Sequence, residues 1–276
     1  MCIRDRNFTP AEVTEFRSSI GCLQWAVTSC RPDLAAVCLL SQGSIEKLTV
    51  RDLVEVQKIV KYMRHTPDNG VCFRKLDLGD LVLLSFSDAS WGNAPGNKSQ
   101  AGLLTVLSTG DVTARDTPCS IMEWKSHRLR RVTRSTLASE AAAMDTACDH
   151  ALYIACFLSE LLSDATYRAS QSAGMSLIPI KPITDCKSLF DGSKRLAQNL
   201  QEKRVQIDIC SIREAASDGE IRWVPTTHVM ADGLTKRDAK LRQTLADFCS
   251  WPSFCLVEQT PVPQKDEEKN RDDVSA

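Results

Sequence analysis

The sequence predicts an α/β protein, a mixed five-stranded sheet flanked by helices and preceded by a small helical segment. Three observations carry this. Short apolar runs at residues 81–86, 101–107 and 121–125 follow one another with turn chemistry between them, as consecutive strands do. A long stretch rich in Ala and Leu, about 136–162, then has the composition and length of a helix. Beyond it, strand-like runs at 178–184 and 220–224 alternate with helical segments at 187–200, 205–216 and 231–248, which argues for parallel as well as antiparallel neighbours in one sheet.

In chain order, residues 7–65 read as helical. Thr9-Pro10 supplies an N-cap with proline at the first helical position, and Val50, Leu53, Val54, Ile59, Val60 and Met63 trace an apolar stripe at helical spacing. Met1–Arg6 matches nothing downstream and reads as foreign to the fold. Thr66-Pro67-Asp68-Asn69-Gly70 opens a linker or hairpin, so residues 1–80 form a first unit and 81–250 a second. The first strand of the second unit ends in Ser87-Asp88, and residues 128–133 extend its third strand. Residues 251–276, with Pro261, Pro263 and few large apolar side chains, are expected to be a disordered tail.

The formal net charge of −1 is an average over unlike parts. From Glu258 onward six acids face three bases, which leaves the rest of the chain at +2. The near-neutral total therefore excludes little. No apolar run reaches the ~18 residues of a membrane span, and the N-terminus lacks the apolar stretch of a secretory signal, so no membrane partner is expected. The 12 cysteines contain no Cys-x-x-Cys pair and the four histidines are scattered, which speaks against a structural zinc site. Reduced, buried thiols of a cytoplasmic or nuclear protein are the expectation.

Four acids stand where strands end or helices begin. Asp88 closes the first strand, Glu140 lies in the first turns of the long helix, Asp185 ends the 178–184 strand, and Asp232 opens the last helix. Singly, each is an ordinary turn, cap or helix-dipole residue. Together they can converge on one crevice of an open sheet. Carboxylates meeting there repel unless cations sit between them, and hard divalent ions with oxygen ligands answer that need. Two such ions ~4 Å apart activate a water and stabilise the leaving oxygen of a phosphodiester.

Flanking residues sharpen this. Residues 81–248 resemble the ribonuclease H domain of copia-type LTR retrotransposon Pol polyproteins. The matching stretches are Phe86-Ser87-Asp88-Ala89-Ser90-Trp91, Trp124-Lys125-Ser126, Thr184-Asp185-Cys186-Lys187-Ser188-Leu189, Ile207-Asp208 with Ile212-Arg213-Glu214, and Val224-Pro225-Thr226 leading into Ala231-Asp232-Gly233-Leu234-Thr235-Lys236. The first 65 residues are similar to the end of the preceding reverse transcriptase, through Ser18-Ser19-Ile20-Gly21-Cys22-Leu23, Arg31-Pro32-Asp33-Leu34 and Ile59–Thr66. No Tyr-x-Asp-Asp polymerase motif occurs.

The resemblance implies a ribonuclease H-like fold and hydrolysis of the RNA strand of an RNA–DNA hybrid. It places Asp88, Glu140, Asp185 and Asp232 at the family's four metal-binding positions, which hold two Mg²⁺ ions or Mn²⁺ in their stead. It also implies the rest of a Pol polyprotein as partner. Where the family shows Lys-His-Ile-Asp, this sequence has Arg204-Val205-Gln206-Ile207-Asp208. His228, four residues before Asp232, is the candidate for the histidine that assists product release in cellular ribonucleases H, with a plain loop histidine as the alternative.

Lys125, Arg128, Arg130, Arg131 and Arg134, with no acid among them, lead toward Glu140. They read either as a phosphate-contacting stripe or as a solvated edge strand. Lys194-Arg195, Lys203-Arg204 and Lys236-Arg237 extend the stripe. Trp91 and Trp124 read either as platforms for substrate sugars or bases or, the preferred reading, as core residues. Two rival functions remain at this level. One is an integrase-type strand transferase, suggested by the 34 residues between Asp185 and Glu220. The other is a catalytically silent remnant that binds nucleic acid or a partner subunit.

Overall fold

The computed structural model describes residues 5–42, 47–94, 96–109, 112–114, 116–162, 178–194 and 202–258. Three helices come first: α1 (Pro10–Ser29), α2 (Ala35–Leu40) and α3 (Val50–His65). The proposed Thr9 cap is present as a capping box with Glu12, and Thr49 and Asp52 form a second one at α3. Arg6 is part of this unit: its guanidinium binds both Glu12 oxygens, at 2.8 and 2.6 Å, and its carbonyl accepts from Val50 N–H. The expectation that residues 1–6 are foreign to the fold therefore fails at Arg6.

The second unit contains β1 (Leu81–Ala94), β2 (Lys98–Thr109), β3 (Thr117–Arg128), α4 (Thr136–Leu162), β4 (Ile180–Thr184), α5 (Lys187–Lys194), α6 (Lys203–Ala215), β5 (Arg222–Trp223), α7 (Ala239–Ser250) and β6 (Ser253–Phe254). The strand order is β5-β4-β1-β2-β3-β6; β1 runs antiparallel to β2 and parallel to β4. This is the expected ribonuclease H-like mixed sheet, with one short strand added at its edge. That strand pairs with Thr117 and Pro118, and Phe254 and Leu256 are buried, so the folded part continues past residue 250. Residues 259–276 of the expected tail lie outside the described residues.

Both faces of the sheet are covered, which is why β1 is buried along most of its length. Leu83, Leu107 and Ile180 face the α4 residues Ala151, Ala155 and Leu158. Small alanines let this helix lie close on the strands. Val82, Leu84 and Phe86 face the opposite way, toward Leu234, Leu245 and Phe248. Ala35 joins that same core and Trp124 Nε1 donates to the Val27 carbonyl at 2.7 Å, so the helical segment packs directly on the sheet. Residues 66–80 form a linker rather than a hairpin. Cys72 N–H bonds the Cys249 carbonyl at 2.8 Å, and Arg74 stacks on Trp251 with its guanidinium 3.8 Å from the ring centre.

Three expected boundaries are corrected. The strand expected at 81–86 continues to Ala94, so Asp88 sits inside β1 and pairs with Gly102 rather than ending the strand. The helix expected at 231–248 is two elements: a 3₁₀ turn at Met230–Leu234 and α7 from Ala239, capped by Asp238. Asp232 thus sits in a tight turn, not at the start of a long helix. The third strand stops at Arg128, so residues 129–133 are not its extension. Of the helix expected at 187–200, residues 195–200 lie outside the described residues.

Candidate nuclease site

Strand register brings the first two acids together. Phe86 pairs with Ile183 across the parallel β1–β4 ladder, and two residues further along each chain stand Asp88 and Asp185. Adjacent strands lie about 4.8 Å apart, which sets these carboxylates side by side. The Asp185 carbonyl accepts from Trp223 Nε1 at 3.1 Å, which ties the end of β4 to β5.

Glu140 arrives from α4 on the other side. Ser139, its neighbour, is fully buried and bonds Thr133 Oγ1 at 2.7 Å, which anchors this end of the helix. Asp232 comes from the 3₁₀ turn, held against β2 at Gly102. A Cβ there would lie 2.7 Å from Leu234 Cβ and 3.0 Å from the Ala231 carbonyl oxygen, so only glycine permits the approach. Asn93 Nδ2 donates to the Thr235 carbonyl at 3.0 Å and fixes the exit of the same turn.

The result is a buried acidic cluster. Asp88, Glu140 and Asp232 are 3%, 5% and 4% exposed, while Asp185 is half-buried. Burial first, then Asp88 and Asp185, push the Glu140 carboxyl up to about 9. Burial and Asp88 likewise raise Asp232, to about 7, against the pull of Lys236. Glu140 Oε2 has no hydrogen-bond partner. Thr235 Oγ1 donates to Asp88 Oδ2, and the Lys236 ammonium lies 2.9 Å from Asp232 Oδ1 and 3.5 Å from Asp88 Oδ2. Burial opposes the charge on Lys236, but Asp88, Asp232 and Asp185 outweigh it and hold its pKa above the ordinary value.

The donor set suits hard divalent cations. All four side chains offer oxygen, their charges are mutually unfavourable, and Glu140 Oε2 is a buried acceptor with nothing to accept. As the side chains stand, no group of three or more His, Cys, Asp and Glu among the described residues is arranged to hold a metal ion. Among the described residues the one cation paired with the cluster is Lys236, which sequence reasoning placed in a phosphate stripe. Its signal was the four-residue step from Asp232.

The basic stripe divides in two. Arg128 Nη2 donates to the Gln42 carbonyl and Arg131 pairs with buried Asp208, so both are occupied within the fold. Lys125, Arg130 and Arg134 are exposed, and Lys125 Nζ lies 3.4 Å from His150 Nε2. Lys125, His127 and Arg130 line a cleft of about 310 Å³ between β3 and α4. Of the proposed extensions, Lys194 pairs with Glu220 at 3.4 Å, Arg237 donates to the Leu40 carbonyl, and Arg195 lies outside the described residues. His228 Nδ1 lies 3.1 Å from its neighbour Thr227, within its own loop.

Trp124 packs against the core as expected. Trp91 does not: it is 55% exposed, with Nε1 bonded to the Thr133 carbonyl at 3.2 Å. Of the eleven described cysteines, all free, only Cys38, Cys119, Cys148 and Cys249 are buried, fewer than expected. The strand-transferase reading loses its glutamate. Glu220 is half-exposed, precedes β5 and pairs with Arg222 at 2.6 Å. No helix among the described residues is long and apolar enough to cross a membrane.

Relatives of the chain are retrovirus-related Pol polyproteins of plant transposons. It is 25% identical over 224 residues to that of transposon TNT 1-94 from Nicotiana tabacum, covering 80% of this chain and 15% of the relative. It is 27% identical over 231 residues to that of transposon RE1 from Arabidopsis thaliana, covering 81% and 14%. The chain thus spans about 15% of the length of these polyproteins. Two solved structures are similar in part. An N-terminal RNase H domain from Mycobacterium tuberculosis matches with a TM-score of 0.33 and 13% identity, over 62% of this chain and 96% of that one. The prototype foamy virus protease–reverse transcriptase matches with a TM-score of 0.32 and 16% identity, over 65% and 21%. No family model matches the chain.

Proposed function

With homology to retrovirus-related Pol polyproteins as the premise, we propose that this chain is a metal-dependent ribonuclease H. Its reaction is endonucleolytic hydrolysis of the RNA strand of RNA–DNA hybrids during retrotransposon replication. The observation that carries this reading is the burial of Asp88, Glu140 and Asp232, with Asp185 beside them, in one cluster fed by four separate elements. Burying so much like charge is costly unless a cation compensates it.

Asp88, Glu140, Asp185 and Asp232 would hold Mg²⁺ or Mn²⁺, which supplies an activated water and charge compensation at a scissile phosphate. The remaining groups position the substrate. Lys125 and Arg130 present exposed charges at the cleft between β3 and α4, where phosphates of the hybrid would lie, and Arg134 adds a further exposed charge in the segment leading into α4. Contacts of this kind follow backbone shape and carry no base identity, which suits an enzyme that selects a hybrid by geometry. The neighbouring segments of a Pol polyprotein are the corresponding partner.

The test is cleavage of an end-labelled RNA–DNA hybrid in Mg²⁺ by the wild-type chain and by Asp185→Asn, with thermal melts to establish that both fold. Cleavage by the wild type and its loss in the variant are expected. Undiminished cleavage by Asp185→Asn overturns the assignment.

A further inference from the structure

We propose that Lys236 is the resident counter-ion of the acidic cluster, holding Asp88 and Asp232 together until a divalent cation displaces its ammonium. The inference rests on the metal-holding reading of those carboxylates. It begins from geometry. Asp232 lies in the 3₁₀ turn and Lys236 follows four residues later at its exit, so the lysine folds back over the turn onto Asp232 Oδ1 at 2.9 Å and toward Asp88 Oδ2 at 3.5 Å. Asp88 Oδ2 already accepts from Thr235 Oγ1, which leaves the ammonium as the charge-bearing partner of both acids.

Three features make this contact exchangeable rather than fixed. The Lys236 side chain is 39% exposed while those of Asp88 and Asp232 are 5% and 6%, so the ammonium sits at the mouth of the cluster with water behind it. A lysine is a point charge on a flexible stem and lacks the planar fork by which arginine locks onto a carboxylate. One positive charge also under-compensates the cluster: Glu140 Oε2 remains without a partner. Among the described residues no other lysine or arginine forms an ion pair with the four acids, and adjacent Arg237 is engaged by the Leu40 carbonyl. A divalent ion bound by the same oxygens would repel the ammonium at contact distance, so the two cations exclude one another.

The test measures binding of Mn²⁺ alone, by the loss of its free electron-paramagnetic-resonance signal, to the wild type, Lys236→Gln, Lys236→Arg and Lys240→Gln. Removing a competing charge is expected to tighten Mn²⁺ binding in Lys236→Gln by roughly tenfold. The metal-free variant is expected to melt below the wild type. Lys236→Arg should keep wild-type affinity or bind more weakly, and Lys240→Gln, which removes an exposed charge from the first turn of α7, should not change it. Equal affinity in Lys236→Gln and the wild type overturns the proposal. So does an equal gain in Lys240→Gln, which assigns the effect to net charge.

A second measurement needs only the wild-type protein. Acylation of Lys236 by a trace of acetic anhydride, read by mass spectrometry, should accelerate several-fold on adding Mg²⁺, because the amine is released. An unchanged rate in protein that binds the metal overturns the proposal. Absence of any Mn²⁺ binding in the wild type and every variant overturns the metal-holding reading itself, a result distinct from equal binding by all.

Discussion

The guanidinium of Arg31 clasps the Asp33 carboxylate through two parallel bonds, Nε to Oδ1 and Nη2 to Oδ2, each 2.8 Å, with side chains only 4% and 2% exposed. The same guanidinium donates to the Thr66 carbonyl and hydroxyl, both at 3.0 Å, and so ties the end of α1 to the end of α3. Replacing Arg31 with Met strands Asp33 in the interior and should cost about 3–5 kcal/mol in urea melts. The double variant Arg31→Met/Asp33→Leu should recover most of that loss. A single variant within about 1 kcal/mol of wild type would show that the pair contributes little to the fold.

Gly102 sets how closely β2 approaches the turn that carries Asp232. A methyl group there must displace Leu234, the Ala231 carbonyl or Thr235. Gly102→Ala should therefore lower stability by about 1–3 kcal/mol. It should also lower hybrid cleavage at least tenfold at temperatures where the variant is fully folded, since displacements near 1 Å at a reacting centre are costly. Stability loss with unchanged cleavage would place the catalytic geometry elsewhere.

Arg131 and Arg130 are neighbours in sequence with different work. Arg131 neutralises buried Asp208 on α6, whereas Arg130 is exposed. Arg131→Gln should destabilise the fold by about 1–3 kcal/mol, because a buried carboxylate loses its partner. Arg130→Gln should leave the melt alone and reduce the salt slope of hybrid binding by about 1. Equal effects of the two substitutions on salt slope would return Arg131 to the phosphate stripe.

How much of this was legible depended on whether the determining contacts were local. Residues 136–162 read as one helix and fold as one, because the run is long, rich in Ala and Leu, and free of breakers. Asp88 was misplaced at a strand end because Ser85, Ser87 and Asp88 look like the close of an apolar run. Helices covering both faces of β1 bury them inside it. The turn at Asp232 was hidden for a similar reason: Asp88 and Asn93, on a strand more than a hundred residues earlier in the chain, hold it through Thr235. The Arg131–Asp208 pair spans 77 positions and leaves no local signature. Sequence pattern reports the periodicity of an element. It does not report which polar side chains its neighbours will satisfy.

His127 gives the protein a defined acid weakness. It lies on β3, paired across the sheet with Ala101, and its Nδ1 is buried with no hydrogen-bond partner. Burial first, then the nearby charges of Lys125, His150 and Arg130, depress its pKa to about 4. Asp145, which lines the same cleft, does not reverse that balance. The ring is therefore neutral in the folded state at neutral pH, while in the unfolded chain it takes up a proton near its ordinary value of about 6.5. Protons then favour the unfolded state throughout that interval. The contribution of His127 to stability is complete above about pH 6.5, falls as the pH drops toward about 4, and levels off below, where both states carry the proton. Urea melts at about pH 7 and about pH 5 should differ more for the wild type than for His127→Gln, which cannot titrate. Equal pH dependence in the two proteins would mean that His127 is charged in the fold, with an acidic partner in its cleft.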